Sequence, residues 1–152
     1  MIVDAEIRLA QPRDAHAIAA MSRDLVEHGL GWRWNASRVL GSIRDREANV
    51  AVAVDGGDVL GFGIMKYREL EAHLYLLAVQ SDRQQRGIGA ALLRWLEASA
   101  LTAGIGVVYL EARATNHVAR AFYRQLGYRE FNILPRYYRG VEDAVRLAKD
   151  LW

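Results

Sequence analysis

The run Gln84-Gln85-Arg86-Gly87-Ile88-Gly89-Ala90 sets two glycines one residue apart, with Arg83 and Arg86 beside them. Glycine lets a ligand approach the backbone closely. The free N–H groups at a helix start favour an anion. Together with the two arginines, this loop suits a pyrophosphate. A plain tight turn would use Gly87 equally well. No lysine follows the second glycine, which excludes a Walker loop, and three strand-like segments precede the run, which disfavours a dinucleotide fingerprint.

Three other side chains have proton chemistry. Tyr123 lies in the segment opened by Asn116, with Asn116, Arg120 and Tyr123 at i, i+4 and i+7. A phenol near pKa ~10 can protonate a departing thiolate. Glu111 ends an apolar strand pattern, and His73 alternates with Tyr75 and Leu77 on one face of another. A carboxylate or an imidazole can take a proton from a nucleophile. The chain has no cysteine, so a thiol-bound acyl intermediate is impossible. His16, His28, His73 and His117 share no metal-ligand spacing, so no metal is expected.

The elements that must carry these residues follow from the pattern. Glu6 to Ala10 is extended. Pro12 and Asp14 start a helix bearing Ile18, Met21 and Leu25, which Gly29 and Gly31 end. Asn35 or Ser37 caps a second helix with Val39, Leu40 and Ile43 on its apolar side. Asn49 to Val54 and Val59 to Tyr67 are strands joined by the hairpin signal Asp55-Gly56-Gly57-Asp58. His73 to Val79 is a third strand, and a helix with Ile88, Leu92, Trp95 and Leu96 follows the glycine loop. Val107 to Glu111 is a strand. The helix from Asn116 to Leu126 is closed by Gly127, with Val118, Phe122 and Leu126 as its core-facing stripe. Tyr128 to Ile133 and Val141 to Leu147 complete the set. This order implies an α+β fold, a mixed sheet with helices packed on it.

The 152 residues suit one domain, 1–152. Net charge is +2, and Lys66 and Lys149 are the only lysines among scattered arginines. Nucleic-acid binding is weakly supported by that pattern. No apolar run approaches a membrane span, and the start lacks a secretory pattern. A cysteine-free chain of this kind fits a cytoplasmic protein.

The spacing Gln84-x-x-Gly87-x-Gly89 resembles the acetyl-CoA motif of the GNAT N-acetyltransferase superfamily. Leu76-Leu77-Ala78-Val79 resembles the strand before that motif. Leu110 to Asn116, with Ala121-Phe122-Tyr123 and Leu126-Gly127-Tyr128, resembles the family's second cofactor segment. Tyr137-Tyr138-Arg139-Gly140 with Glu142-Asp143-Ala144 is similar to the C-terminal end of the RimI group, which acetylates protein N-termini. The resemblance covers almost the whole chain.

It implies a mostly antiparallel mixed sheet of six to seven strands with about four helices, whose central strands splay to admit the cofactor. Leu77, Ala78 and Val79 would meet the pantetheine arm. Amides from Gln85, Arg86, Gly87, Ile88, Gly89 and Ala90, beside Gln84, would hold the pyrophosphate, with Asn116 and Tyr123 near the pantetheine. Tyr123 would be the general acid, and Glu111, His73 or water the base. Trp32 and Trp34, on a glycine-flanked loop, and Tyr138 are candidates for the acceptor side. The segment around Trp32 departs from the RimI pattern, so a small amine remains an alternative to a protein N-terminus. A non-catalytic acetyl-CoA sensor is the rival of another class, and a homodimer is compatible with the family.

Overall fold

The computed structural model describes residues 5–152. Its elements are β1 (Glu6–Leu9), α1 (Ala15–Met21), α2 (Ala36–Arg44), β2 (Ala48–Asp55), β3 (Asp58–Arg68), β4 (Glu71–Val79), α3 (Ile88–Thr102), β5 (Val107–Arg113), α4 (His117–Gln125), β6 (Arg129–Tyr138) and β7 (Glu142–Asp150). The strands form one seven-stranded sheet in the order β1-β2-β3-β4-β5-β7-β6. Only β4 and β5 run parallel. All other neighbours are antiparallel.

Two apolar layers sandwich this sheet. On one face α3 lays down Leu92, Leu93 and Leu96, each fully buried, against Val108, Leu110 and Leu147. Burial of each such leucine contributes about 1.5–3 kcal/mol. Close approach of α3 requires a strand without side chains beneath it. A Cβ on Gly63 would lie 2.7 Å from Leu96 Cδ1, and one on Gly61 2.9 Å from the Ala78 carbonyl. On the other face α1 and α2 supply Ile18, Met21 and Val39 to a second core with Val52, Phe62 and Ile64. The sheet residues of that second core come from β2, β3 and β4 alone. The same face of β5, β7 and β6 carries no helix core.

Caps fall where the side-chain chemistry demands. Asn35 Oδ1 accepts from Arg38 N and starts α2, and Asn116 Oδ1 accepts from Ala119 N and starts α4. Gly127 closes α4 with a positive φ of 97°.

Some expectations are corrected. The stripe on α4 is displaced: Val118 is 83% exposed, whereas Tyr123 is buried and packs in the core with Ala119, Phe122 and Leu126 beside it. Val118 sits in the first turn, beyond the reach of the sheet. Residues 22–26, which carry Leu25, form a π-type turn that ends α1 early. Strand β6 runs past its expected end because it pairs with β7 as far as Tyr138 and Glu142, and β7 runs past Leu147 because Ala148 to Asp150 pair with β5.

Candidate active site

Strands β4 and β5 share a ladder only from Glu71 to Leu74, opposite Val107 to Leu110. Beyond it β4 continues along β3 to Val79, and β5 continues along β7 to Arg113. The sheet therefore splits at its centre. A register shift on β4 coincides with the split: Ile64 pairs with Leu76 but Met65 with Leu74, which leaves Tyr75 as the extra residue of a bulge. The bulge turns Leu76 and Ala78 toward the α1/α2 core, while Ala72 and Leu74 face α3. The edge of β4 facing the gap has no ladder partner past Leu74.

A hollow of about 870 Å³ opens at the split. Leu77, Glu111, Asn116, Tyr123, Trp34 and Tyr138 all line it. A second hollow, about 760 Å³, lies over the helix-free part of the sheet and contains His73. Tyr75 and Glu111 line both.

Glu111 and His73 are partners. His73 Nε2 lies 2.6 Å from Glu111 Oε1, and Arg146 Nε donates to Glu111 Oε2 at 2.9 Å. The Tyr137 hydroxyl adds a longer bond to Oε1, 3.3 Å. Burial is the largest single influence on the Glu111 carboxyl and pushes its pKa up. The hydrogen bonds and charges of His73 and Arg146 together outweigh burial and hold it below the ordinary carboxylate range. Tyr75 stacks on His73, with ring centroids 4.2 Å apart.

Tyr123, on α4, lines the same hollow as Glu111. Every fully buried side-chain polar atom among the described residues has a hydrogen-bond partner, and the Tyr123 hydroxyl has none, so the hydroxyl opens to the hollow. Burial of the ring pushes its pKa far up, so it stays protonated. Tyr128 holds Tyr123 in place. Its N–H donates to the Tyr123 carbonyl at 3.0 Å, and the two rings meet edge to face at 5.8 Å. The Tyr128 hydroxyl in turn donates to Glu97, which also accepts from Lys149.

The glycine loop lies at the far end of β4, outside the lining of both hollows. Gln84 Nε2 donates to the Val79 carbonyl and ties the loop to that strand end. Gln85 and Gly87 both have left-handed backbones, φ 64° and 83°. Left-handed Gly87 directly precedes the right-handed turns of α3. That alternation turns successive N–H groups toward one point, a concavity suited to an anion.

Two loops wall the other side. The α1–α2 loop is organised by Glu27, whose buried carboxylate accepts from Ser22 Oγ and from the backbone N–H of Arg33 and Trp34. Arg113, at the end of β5, clamps this loop by donating to the carbonyls of Val26 and His28, and pairs with Glu142. Opposite, the β6–β7 hairpin brings Arg139 so close to Gly31 that a Cβ there would meet the guanidinium at 2.8 Å. Trp34 is buried and lines the hollow, whereas Trp32 is half exposed, outside it, and donates to the Ala19 carbonyl. Trp32 is thus a strut of the loop.

Sequence reasoning missed Arg146, Tyr137, Glu27 and Arg113. For Arg146 a signal existed: it is the one charge inside Ala144-Val145-Arg146-Leu147-Ala148. Among the described residues no group of three or more His, Asp or Glu is placed to hold a metal, and no helix is long and apolar enough to cross a membrane.

A sheet split in this way leaves an unpaired strand edge at its centre, beside the hydrogen-bonded Glu111 and His73. The chain belongs to the acetyltransferase (GNAT) family, whose model matches residues 13–128. It is an acyltransferase. The [ribosomal protein bS18]-alanine N-acetyltransferase of Salmonella typhimurium is 35% identical over 118 residues, 76% of this chain and 79% of that protein. An uncharacterised N-acetyltransferase of Methanocaldococcus jannaschii is 37% identical over 99 residues, which span 64% of each chain, just under two thirds of that relative's length. The crystal structure of Ard1 from Thermoplasma volcanium superposes with a TM-score of 0.86 at 25% identity, covering 99% of both chains.

Proposed function

We propose that the protein acetylates the α-amine of a protein or peptide N-terminus, using acetyl-CoA in a ternary complex. The observation that carries this reading is the Glu111–His73 pair, with Glu111 facing the hollow at the split and His73 facing the outer one. An amine must be neutral to attack a thioester. At pH 7 an α-amine near pKa ~7.7–8.0 costs roughly 1 kcal/mol to deprotonate, and a lysine near ~10.4 costs roughly 4–5 kcal/mol. A carboxylate held below its usual range is a weak proton acceptor. It suits the undemanding α-amine better than a lysine. The named activity of the Salmonella relative, on the alanine of a ribosomal protein, points the same way.

The unpartnered edge of β4 at Leu77 and Val79 fits a pantetheine arm, which carries amides of its own. The N–H concavity from Gln85 to Ala90 fits the pyrophosphate, and the Asn116 amide, its oxygen engaged in the cap, keeps N–H donors for the arm. Acetyl-CoA supplies the activated acetyl group. Glu111 receives the ammonium of the acceptor, and the proton passes across the 2.6 Å bond to His73 and out to solvent in the second hollow. A backbone N–H near Leu77 polarises the thioester carbonyl. Tyr123 then protonates the departing thiolate. Much of the acceleration comes from holding amine and thioester together at the split. A pure acetyl-CoA sensor has no use for an open tyrosine hydroxyl in the same hollow as Glu111.

Release of free CoA thiol is the test, measured across N-terminal peptides, lysine side-chain analogues and small amines. Turnover on N-terminal peptides well above the other two classes is expected. Turnover confined to small amines would overturn the N-terminal reading, and cofactor binding with no turnover would overturn the enzyme mechanism.

A further inference from the structure

The mouth of the hollow at the split carries three arginines that pair with no carboxylate among the described residues. Arg33 lies on the α1–α2 loop, Arg38 on the first turn of α2, and Arg139 on the β6–β7 hairpin, and all three line the hollow. Among the described residues none of the three has a carboxylate within salt-bridge distance. Arg38 lies over the Trp34 ring, 3.9 Å from its centroid. Lys66 lies 5.8 Å from that ring and 5.5 Å from the ring of Tyr75, at the junction of the two hollows, and is unpaired as well.

The carboxylates around the mouth at Arg33, Arg38 and Arg139 already have partners. Glu27 accepts from Ser22, Arg33 N and Trp34 N. Glu111 is bonded to His73 and accepts from Arg146, Glu142 accepts from Arg113, and Asp143 from the N–H of Arg136. Arg113, the fourth arginine of the lining, is held by Glu142 and two carbonyls. The hollow is therefore bipolar. Two carboxylates, Glu111 and Glu27, lie in its lining, and three unpaired arginines, Arg33, Arg38 and Arg139, stand on both walls of its mouth.

From this we infer that the preferred acceptor carries carboxylates a few atoms beyond its reacting amine, as in an N-terminus followed by aspartate or glutamate. The ammonium would meet Glu111, and the acidic side chains would meet Arg33, Arg38 and Arg139. This rests on the N-terminal reading above. A free acidic amino acid offers the same chemistry in a small molecule, so both sources belong in the test.

The test compares kcat/KM on peptides of equal length that begin with alanine and continue with two glutamates, two glutamines or two arginines, alongside free glutamate as acceptor. The acidic peptide should exceed the glutamine peptide by about tenfold, the size of two or three solvent-touched ion pairs, and the arginine peptide should be poorest. Added salt should shrink the preference. In an Arg33→Gln/Arg139→Gln double variant the ratio of acidic to glutamine peptide should fall toward one, a readout that does not depend on how much protein is active. Peptide turnover with equal rates on all three, or a double variant that keeps the ratio, overturns the inference. So does a double variant whose defect is a raised KM for acetyl-CoA, since those cations would then serve the cofactor. Free glutamate outrunning every peptide would assign the charge to a small acceptor. No turnover on any peptide would instead mean that the N-terminal reading itself has failed.

Discussion

His73 Nε2 and Glu111 Oε1 lie 2.6 Å apart where the parallel strands β4 and β5 stop pairing, Glu111 being the first residue of β5 beyond their ladder. Two residues that look like alternative bases in the sequence are thus one unit. Glu111 lines the hollow at the split and His73 the second hollow, so the pair spans the two.

Tyr123→Phe separates proton donation from packing. The phenol ring fills the core whether or not it carries a hydroxyl, and that hydroxyl has no partner to lose among the described residues. Stability should change by less than about 0.5 kcal/mol in urea denaturation. The kcat should fall by about 10²-fold, the ordinary contribution of a positioned acid. Because burial raises the Tyr123 pKa, wild-type kcat should show no alkaline decline below pH 10 from loss of this proton.

Acid should weaken the fold partly through Glu111. Its folded pKa is depressed below 4.5, so its contribution to stability is complete above that value and is lost as pH falls through the folded one. Thermal midpoints of the wild type should drop from about pH 4.5 downward, and Glu111→Gln should flatten part of that slope. Asp14 and Glu130, both depressed, keep the rest. An unchanged slope in Glu111→Gln would show that the carboxylate is not stabilised by its partners.

Glu97 tests the seat of Tyr123. Removing its carboxylate strands the Lys149 ammonium and the Tyr128 hydroxyl, which both bond to it. Glu97→Ala should cost about 2–3 kcal/mol in denaturant melts. Glu97→Gln should cost less, since an amide oxygen can still accept one of the two bonds.

Much of this architecture was legible in the residues. The order of strands and helices follows from the hairpin signal at Asp55–Asp58, the Asn35 and Asn116 caps and the leucine spacing of α3. Local chemistry sets each of these. The face of α4 was misjudged because a nine-residue helix offers few turns, and Tyr123, amphipathic, suits either a core or a polar face. Pairings across the sheet were invisible for a different reason. Contact between His73 and Glu111 depends on the parallel register of β4 and β5, and Arg146 reaches the same carboxylate only through β7 beside them. No spacing along the chain encodes a register between strands that far apart.

The most direct test of this account is a double-mutant cycle on His73→Ala and Glu111→Gln, read as kcat/KM on an N-terminal peptide at neutral pH. If the two residues act as one base, each single substitution should lower kcat/KM by about 10²-fold, and the double variant should be little worse than the weaker single. Losses that multiply would contradict a shared proton path, and two mild losses would mean that water alone deprotonates the amine.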